Sequence, residues 1–272
     1  MPVAAALRPL LAAALALALA ACAPVPVAPA GSRSPDGKDV ATASDQTDAD
    51  RRARVHLELA SAYFARGQST TALDEVKQAL QARPELADGY NLRGLIYAAL
   101  GDAVTAEASF RRALELNPKD ADTEHNYAWF LCQIKRYDDA DAQFNQALAL
   151  PAYRDTARTL LAQGVCQARA GRMADAERTL SRSYELDPSS PTTAVNLAEV
   201  LYRRNEFERA RFYIRRVNTK DELVSAQTLW LAARIERRLG QEELVQELGA
   251  QLHKRFPQAQ ESLLFDKGRF DE

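Results

Sequence analysis

The stretch Gly94-Leu95-Ile96-Tyr97-Ala98-Ala99-Leu100-Gly101-Asp102-Ala103-Val104-Thr105-Ala106-Glu107-Ala108-Ser109-Phe110-Arg111-Arg112-Ala113-Leu114-Glu115-Leu116-Asn117-Pro118 decides the fold. Its apolar and small positions recur every three or four residues, the spacing of an amphipathic helix. Gly101 divides the stretch into two helices, and Pro118 stops the second. The same order stands 34 residues earlier: Ala60, Tyr63, Gly67, Ala72, Val76, Ala79 and Pro84. Downstream it returns as Ala128, Leu131, Ala140, Phe144, Ala147 and Pro151, then as Gly164, Gly171, Ala176, Leu180, Ser183 and Pro188. A fifth copy, Ala198, Leu201, Asn205, Ala210 and Ile214, lacks the final proline. A sixth is degenerate: Ala233, Gly240, Val245, Gly249 and Pro257.

Each slot has a physical reason. The small residue of the first helix and the alanine of the second let the two helices approach closely. Gly67, Gly101, Gly171 and Gly240 stand where the first helix must stop in a left-handed conformation, which glycine adopts at little cost. Asn205, the next-best choice there, and Lys135, a departure, fill the same slot. A helix pair repeated at this period resembles the tetratricopeptide repeat. The expectation is an all-α superhelix of about six helix-turn-helix repeats whose core exists only in the stack. Repeat three is about two residues longer than the others, at Leu150-Pro151-Ala152-Tyr153.

The first 22 residues are of another kind. Leu10 to Ala21 is an apolar Leu/Ala run with one basic residue, Arg8, ahead of it. It is shorter than the roughly 20 residues that span a bilayer and suits the core of a secretory signal. It closes on Leu19-Ala20-Ala21-Cys22, which resembles the lipobox of bacterial lipoproteins, with Cys22 as the lipid acceptor. By the same resemblance Ala23, rather than Asp, after the cysteine points to the periplasmic face of the outer membrane. Residues 22–50 are rich in Pro, Ala, Ser, Thr and Asp and read as a disordered tether. The organisation expected is therefore a signal peptide over 1–21, the tether over 22–50, a repeat solenoid over 51–260 and a tail over 261–272.

The balance of 35 basic and 37 acidic residues argues against bulk nucleic-acid binding. His56, His125 and His253 lie in distant repeats, which a solenoid holds apart. There is no Gly-rich phosphate loop, no His-Glu-x-x-His and no Gly-x-Ser-x-Gly. No catalytic set, metal site, cofactor or small-molecule substrate is expected. With Cys22 lipidated, Cys132 and Cys166 remain. In an oxidising compartment they are either a disulfide across the irregular third repeat or two small buried hydrophobes.

The surface then carries the function. In the helical register, Leu57, Ser61 and Phe64, Asn91 and Leu95, and His125 and Trp129 point into the concave face. Leu161 and Val165, Glu199 and Tyr202, and Trp230 and Arg234 continue it. An apolar strip through Leu57, Phe64, Leu95 and Trp129 suits a helix or extended peptide of another protein; the bland reading is that several of these side chains pack between repeats. Repeat five is locally basic through Arg203, Arg204, Arg209, Arg211, Arg215, Arg216 and Lys220. It is either a solvated face with helix ion pairs or a patch for an acidic partner or lipid headgroups.

Two stretches are more than generic repeat sequence: His125-Asn126-Tyr127-Ala128-Trp129-Phe130-Leu131-Cys132 with Arg136-Tyr137, Pro151-x-Tyr153 and Gly164-x-Cys166, and Leu229-Trp230-Leu231-Ala232-Ala233-Arg234-Ile235-Glu236. Together with the lipobox they resemble the type IV pilus biogenesis/stability family called PilW or PilF. The resemblance runs from about Arg51 to the C-terminus. It implies a non-enzymatic outer-membrane lipoprotein that helps the pilus secretin reach the outer membrane and form its multimer, or stabilises the fibres. It also implies that Cys132 and Cys166 match cysteines found in repeats three and four of that family. The competing expectation is a periplasmic scaffold for cell-wall or outer-membrane assembly factors.

Overall fold

The computed structural model describes residues 47–270, and all of its regular structure there is helical. The signal peptide, Cys22 and most of the proposed tether lie outside the described residues. Six helix pairs follow one another: α1 (Asp48–Ala65) and α2 (Ser69–Ala82), α3 (Ala87–Ala99) and α4 (Ala103–Leu116), α5 (Ala121–Gln133) and α6 (Tyr137–Ala149), α7 (Thr156–Arg169) and α8 (Met173–Leu186), α9 (Pro191–Arg203) and α10 (Phe207–Asn218), and α11 (Ala226–Arg238) and α12 (Glu242–Arg255). A short last helix, α13 (Gln260–Asp266), closes the stack.

The pairs form where the repeat slots place them. Gly67, Gly101, Gly171 and Gly240 take φ between 72° and 81°, and Lys135 and Asn205 take 65° and 62°. At each of these six turns the amide after the left-handed residue donates to the carbonyl five residues back, as Gln68 does to Tyr63 (3.0 Å) and Arg136 to Leu131 (2.9 Å). This pairing satisfies carbonyls that the helix end would otherwise strand. Second helices end one residue before proline at Arg83, Asn117, Leu150, Asp187 and Phe256. Repeat five, which has no proline, instead passes through a 3-10 turn, Asp221–Leu223, before α11.

Within a pair the helices meet at the small slots. A Cβ added to Gly94 would fall 2.8 Å from the Phe110 ring, and one on Gly164 would fall 2.6 Å from Leu180 Cγ. Both are below any ordinary carbon contact, so these glycines are seats for the large residue of the partner helix. Ala72, Ala106, Ala140, Ala176 and Ala210 are fully buried on the other side of the same contact. Each second helix then packs on the first helix of the next repeat, and successive first helices touch: α1 with α3, α3 with α5, α5 with α7, α7 with α9, α9 with α11. A layer whose members touch one another is the inner layer of a curved stack, so the first helices line the concave side.

Two boundaries differ from the sequence reading. The solenoid begins inside the segment assigned to the tether, because Thr47 and Asp50 form a reciprocal capping box that starts α1 at Asp48. The residues after 260 are not a loose tail. Ser262 is buried and donates to the Phe256 carbonyl (2.7 Å), and Phe265 and Phe270 stack around Trp230 with centroids 6.5 and 5.0 Å away. A Cβ on Gly249 would strike the Phe265 ring: repeat six has a glycine where the other second helices carry their large residue, and the capping helix lays Phe265 there instead.

Lys135 is the exposed exception among the left-handed turns, and a side chain there costs roughly 1 kcal/mol. Lys135→Gly is expected to raise the melting temperature, whereas the same exchange at exposed helical Lys77 is expected to lower it.

Candidate interaction surface

Four of the expected groove residues are half-buried side chains of first helices. Leu57 and Phe64 are half-buried on α1, resting on the N-terminal cluster of Ala60, Ala72, Val76, Leu92 and Ile96. Leu95 and Trp129 are half-buried against the next cluster, built on Phe110, Tyr127, Phe130, Leu131 and Phe144. Each keeps part of its apolar surface open on the first-helix layer. Trp129 carries a neighbour that the sequence reading missed: the Arg169 guanidinium of the next repeat lies over its ring at 5.0 Å. That contact holds the indole in place and puts a charge at its edge.

Ser61 is exposed and donates to the Leu57 carbonyl of its own helix (3.0 Å), and Glu199 pairs with Arg203 of its own helix, whereas several other candidates serve the stack. Asn91 accepts a hydrogen bond from the Asn126 amide (3.2 Å), linking repeats two and three. His125 is not a groove contact. It is 9% exposed, its Nδ1 lies 2.8 Å from Thr159 Oγ1, and its ring meets Phe144 edge-on. Thr159 in turn bonds the Tyr153 hydroxyl at 2.6 Å, so the longer junction of repeat three is folded back onto this chain of polar groups. Trp230 and Tyr202 are buried as well, Tyr202 beneath the Arg234 guanidinium at 4.5 Å. Spacing identifies which way a side chain leaves its helix, but the next repeat decides whether it is covered, and that was not readable from one repeat at a time.

Cys132 on α5 and Cys166 on α7 have Cα atoms 5.8 Å apart, within the range a disulfide needs, and are joined in the structure. Both are buried in the third-repeat cluster. Five of the seven basic residues of repeat five are engaged with acids, and Arg216 lies over the Phe212 ring at 5.7 Å. Arg203 meets Glu199, Arg204 and Arg209 share Glu177 and Glu206, and Arg211 and Arg215 converge on the buried Glu236 at 2.6 and 3.1 Å. For these five residues this is the ion-paired reading. The histidines are engaged separately, His56 with Glu75 (2.7 Å) and His253 with Asp266 (2.7 Å). Among the described residues no three His, Cys, Asp or Glu gather as a metal site, and no helix is long and apolar enough to cross a membrane.

A tetratricopeptide-repeat family model matches residues 57–121 and 133–191. The type IV pilus assembly protein PilF of Pseudomonas aeruginosa is 23% identical over 203 residues, 75% of this chain and 80% of the relative. Among solved structures, PilW, described as a widely conserved type IV pilus biogenesis factor, is 30% identical with a TM-score of 0.72, covering 78% of this chain and 96% of PilW. The structure of Pseudomonas aeruginosa PilF shares the fold at 23% identity, with a TM-score of 0.69, and covers 82% of this chain and 100% of its own.

Burial, with a lesser contribution from the charge of Arg158, holds the His125 pKa down at about 4, against an ordinary 6.5. The folded state therefore takes up its proton later than the unfolded chain does, and stability present above pH 6.5 is lost as pH falls toward 4. His125→Asn is expected to flatten the melting temperature between pH 6.5 and 4. An unchanged slope would assign the acid sensitivity elsewhere.

Proposed function

The chain belongs to the type IV pilus biogenesis family of tetratricopeptide proteins that includes PilW and PilF, and from that premise we propose that it is a pilotin. In this reading it is a non-enzymatic adaptor, anchored through acylated Cys22 on the periplasmic face of the outer membrane. It grips pilus secretin subunits along the first-helix layer. The acyl chains give the address, and the strip of Leu57, Phe64, Leu95 and Trp129 gives the hold. The secretin then oligomerises where the anchor has brought it. The observation that carries the reading is the match to PilW, which extends over 96% of that chain. The Leu19–Cys22 lipobox supports the anchor, and the half-buried Phe64, Leu95 and Trp129 on the successive first helices α1, α3 and α5 support a peptide-binding face.

The test is a gel of envelope fractions that preserves the SDS-resistant secretin multimer, comparing cells with the gene, without it, and with Cys22→Ala. Multimer lost in the deletion, and displaced from the outer membrane in Cys22→Ala, is the expected result. Intact multimer with lost surface pili would move the action to fibre stability. Both unchanged would leave the periplasmic scaffold as the better account.

Disulfide formation between Cys132 and Cys166 belongs to the same reading, since it requires an oxidising compartment. The bond would close a loop of 34 residues across the irregular junction, a constraint worth roughly 4 kcal/mol at most. Mass spectrometry of non-reduced peptides is expected to find the two linked in protein recovered from the periplasm. Free thiols at both positions there would refute the linkage.

A further inference from the structure

On the opposite side from the first-helix strip, a cleft of about 590 Å³ opens between α4 and α6, with α5 as its floor. Glu124 lies on that floor and is only 5% exposed. Its Oε2 is buried and has no hydrogen-bond partner, and neither has the buried Oε1 of Gln143, which lines the same cleft. Leaving such acceptors unpaired is costly, most of all for a carboxylate.

The cations around the cleft are committed elsewhere. Arg111 bonds Glu107 (2.7 Å) and Tyr127. Arg136 reaches both oxygens of Glu107 (2.9 and 2.8 Å) and Asp139 (2.7 Å). Arg112 pairs with Glu115 (3.0 Å). Repeat one shows how the same two positions are settled when they match. His56 and Glu75 occupy the slots of Glu124 and Gln143, four residues before the small residue and one before the large one, and they bond each other at 2.7 Å. In repeats two, four and five these slots hold Tyr90 and Ser109, Leu160 and Thr179, and Ala194 and Tyr213. Of these five, only repeat three pairs a carboxylate with an amide and leaves an oxygen of each, Glu124 Oε2 and Gln143 Oε1, without a partner.

We propose that this cleft is a docking site for one cationic side chain, lysine or arginine, of a partner protein, with Glu124 and Gln143 as its acceptors. The surroundings fit a guest that brings several N–H donors and a positive charge. Burial first, and Asp120 second, raises the Glu124 pKa to about 7. The other charged groups at the cleft are Arg111 and Glu115 from α4, Asp139 from α6, and Arg136 before α6. A docked cation stabilises the ionised carboxylate, so docking strengthens as pH rises from 6 to 8. The inference stands apart from the pilotin reading, because it needs no secretin and uses the opposite face.

The experiment follows the Glu124 side-chain carboxyl by NMR in the full chain carrying 13C-labelled glutamate. The probes are butylammonium, butylguanidinium and the capped peptide acetyl-Gly-Lys-Gly-amide, each against sodium chloride at equal ionic strength. A saturable shift at Glu124 with all three, several-fold tighter at pH 8 than at pH 6, is expected. Glu124→Gln, which keeps the shape, should abolish the pH dependence and weaken binding at least tenfold. Gln143→Leu, which leaves the carboxylate in place, should weaken it several-fold. A response no larger than that to sodium chloride would overturn the proposal. So would Gln143 amide hydrogens found bonded to Glu124, since the carboxylate would then have its donor at home. Response to the free amines without response to the peptide would make the cleft a small-amine site and overturn the protein-partner assignment.

Discussion

The structure depends on how closely two helices can approach at one slot. Where the first helix carries Gly94 or Gly164, the second lays Phe110 or Leu180 directly on its backbone, leaving no room for a methyl group. Where it carries Ala60, Ala128 or Ala198, the contact opens by that methyl and the partners are Val76, Phe144 and Ile214. The choice of small residue and large residue thus sets the spacing of each pair, and packing at this density allows little adjustment afterwards. Once the pairs are set, every other feature follows from their stacking: the touching first helices, the strip they carry, and the clefts between second helices.

Stacking is also tied by a charged position just after the buried alanine of the second helix in repeats two to five. Glu107 receives Tyr127 and Arg136 of the next repeat, Asp141 receives Gln163, Gln167 and Arg172, and Glu177 receives Arg204 and Arg209. At the next junction the polarity reverses, and Arg211 reaches Glu236. Isolated exposed ion pairs contribute little, but these acids are half-buried or buried and each gathers two or three donors, so breaking one strands the rest. Their main effect is on register.

These features were unequally legible. The pairs, the left-handed turns and the slots of close approach are demands of the backbone within one repeat, and composition at fixed spacing reports them directly. Even the misfit at Lys135 was visible as a side chain standing where glycine belongs. The environment of a side chain between repeats was not. His125 and Trp129 stand four residues apart on one helix and share a direction in the register. One is sealed by Thr159 and Phe144, and the other is left partly open under Arg169. Similarly, Thr47 and Asp50 read as part of a polar, proline-rich run, because a capping box is two residues that any loop also contains.

The two ends of the stack are finished differently, and this bears on where it yields first. At the C-terminus, α13 and Phe270 cover Trp230, and α13 lays Phe265 against Gly249. At the N-terminus no such cap lies among the described residues, and α1 leaves Val55 and Leu59 at 53% and 41% exposure on its outer side. In a one-dimensional array each repeat draws its stability from its own pair and from its neighbours. Among the described residues repeat one has a neighbour on one side only, and its pair closes on Val76, a smaller residue than the Phe110 and Phe144 of the next two. The disulfide proposed between Cys132 and Cys166 would brace repeats three and four against each other. The strip runs from Leu57 and Phe64 on the first pair to Trp129 on α5, the helix that carries Cys132, so a guest that spans it would touch both the terminal repeat and the braced one.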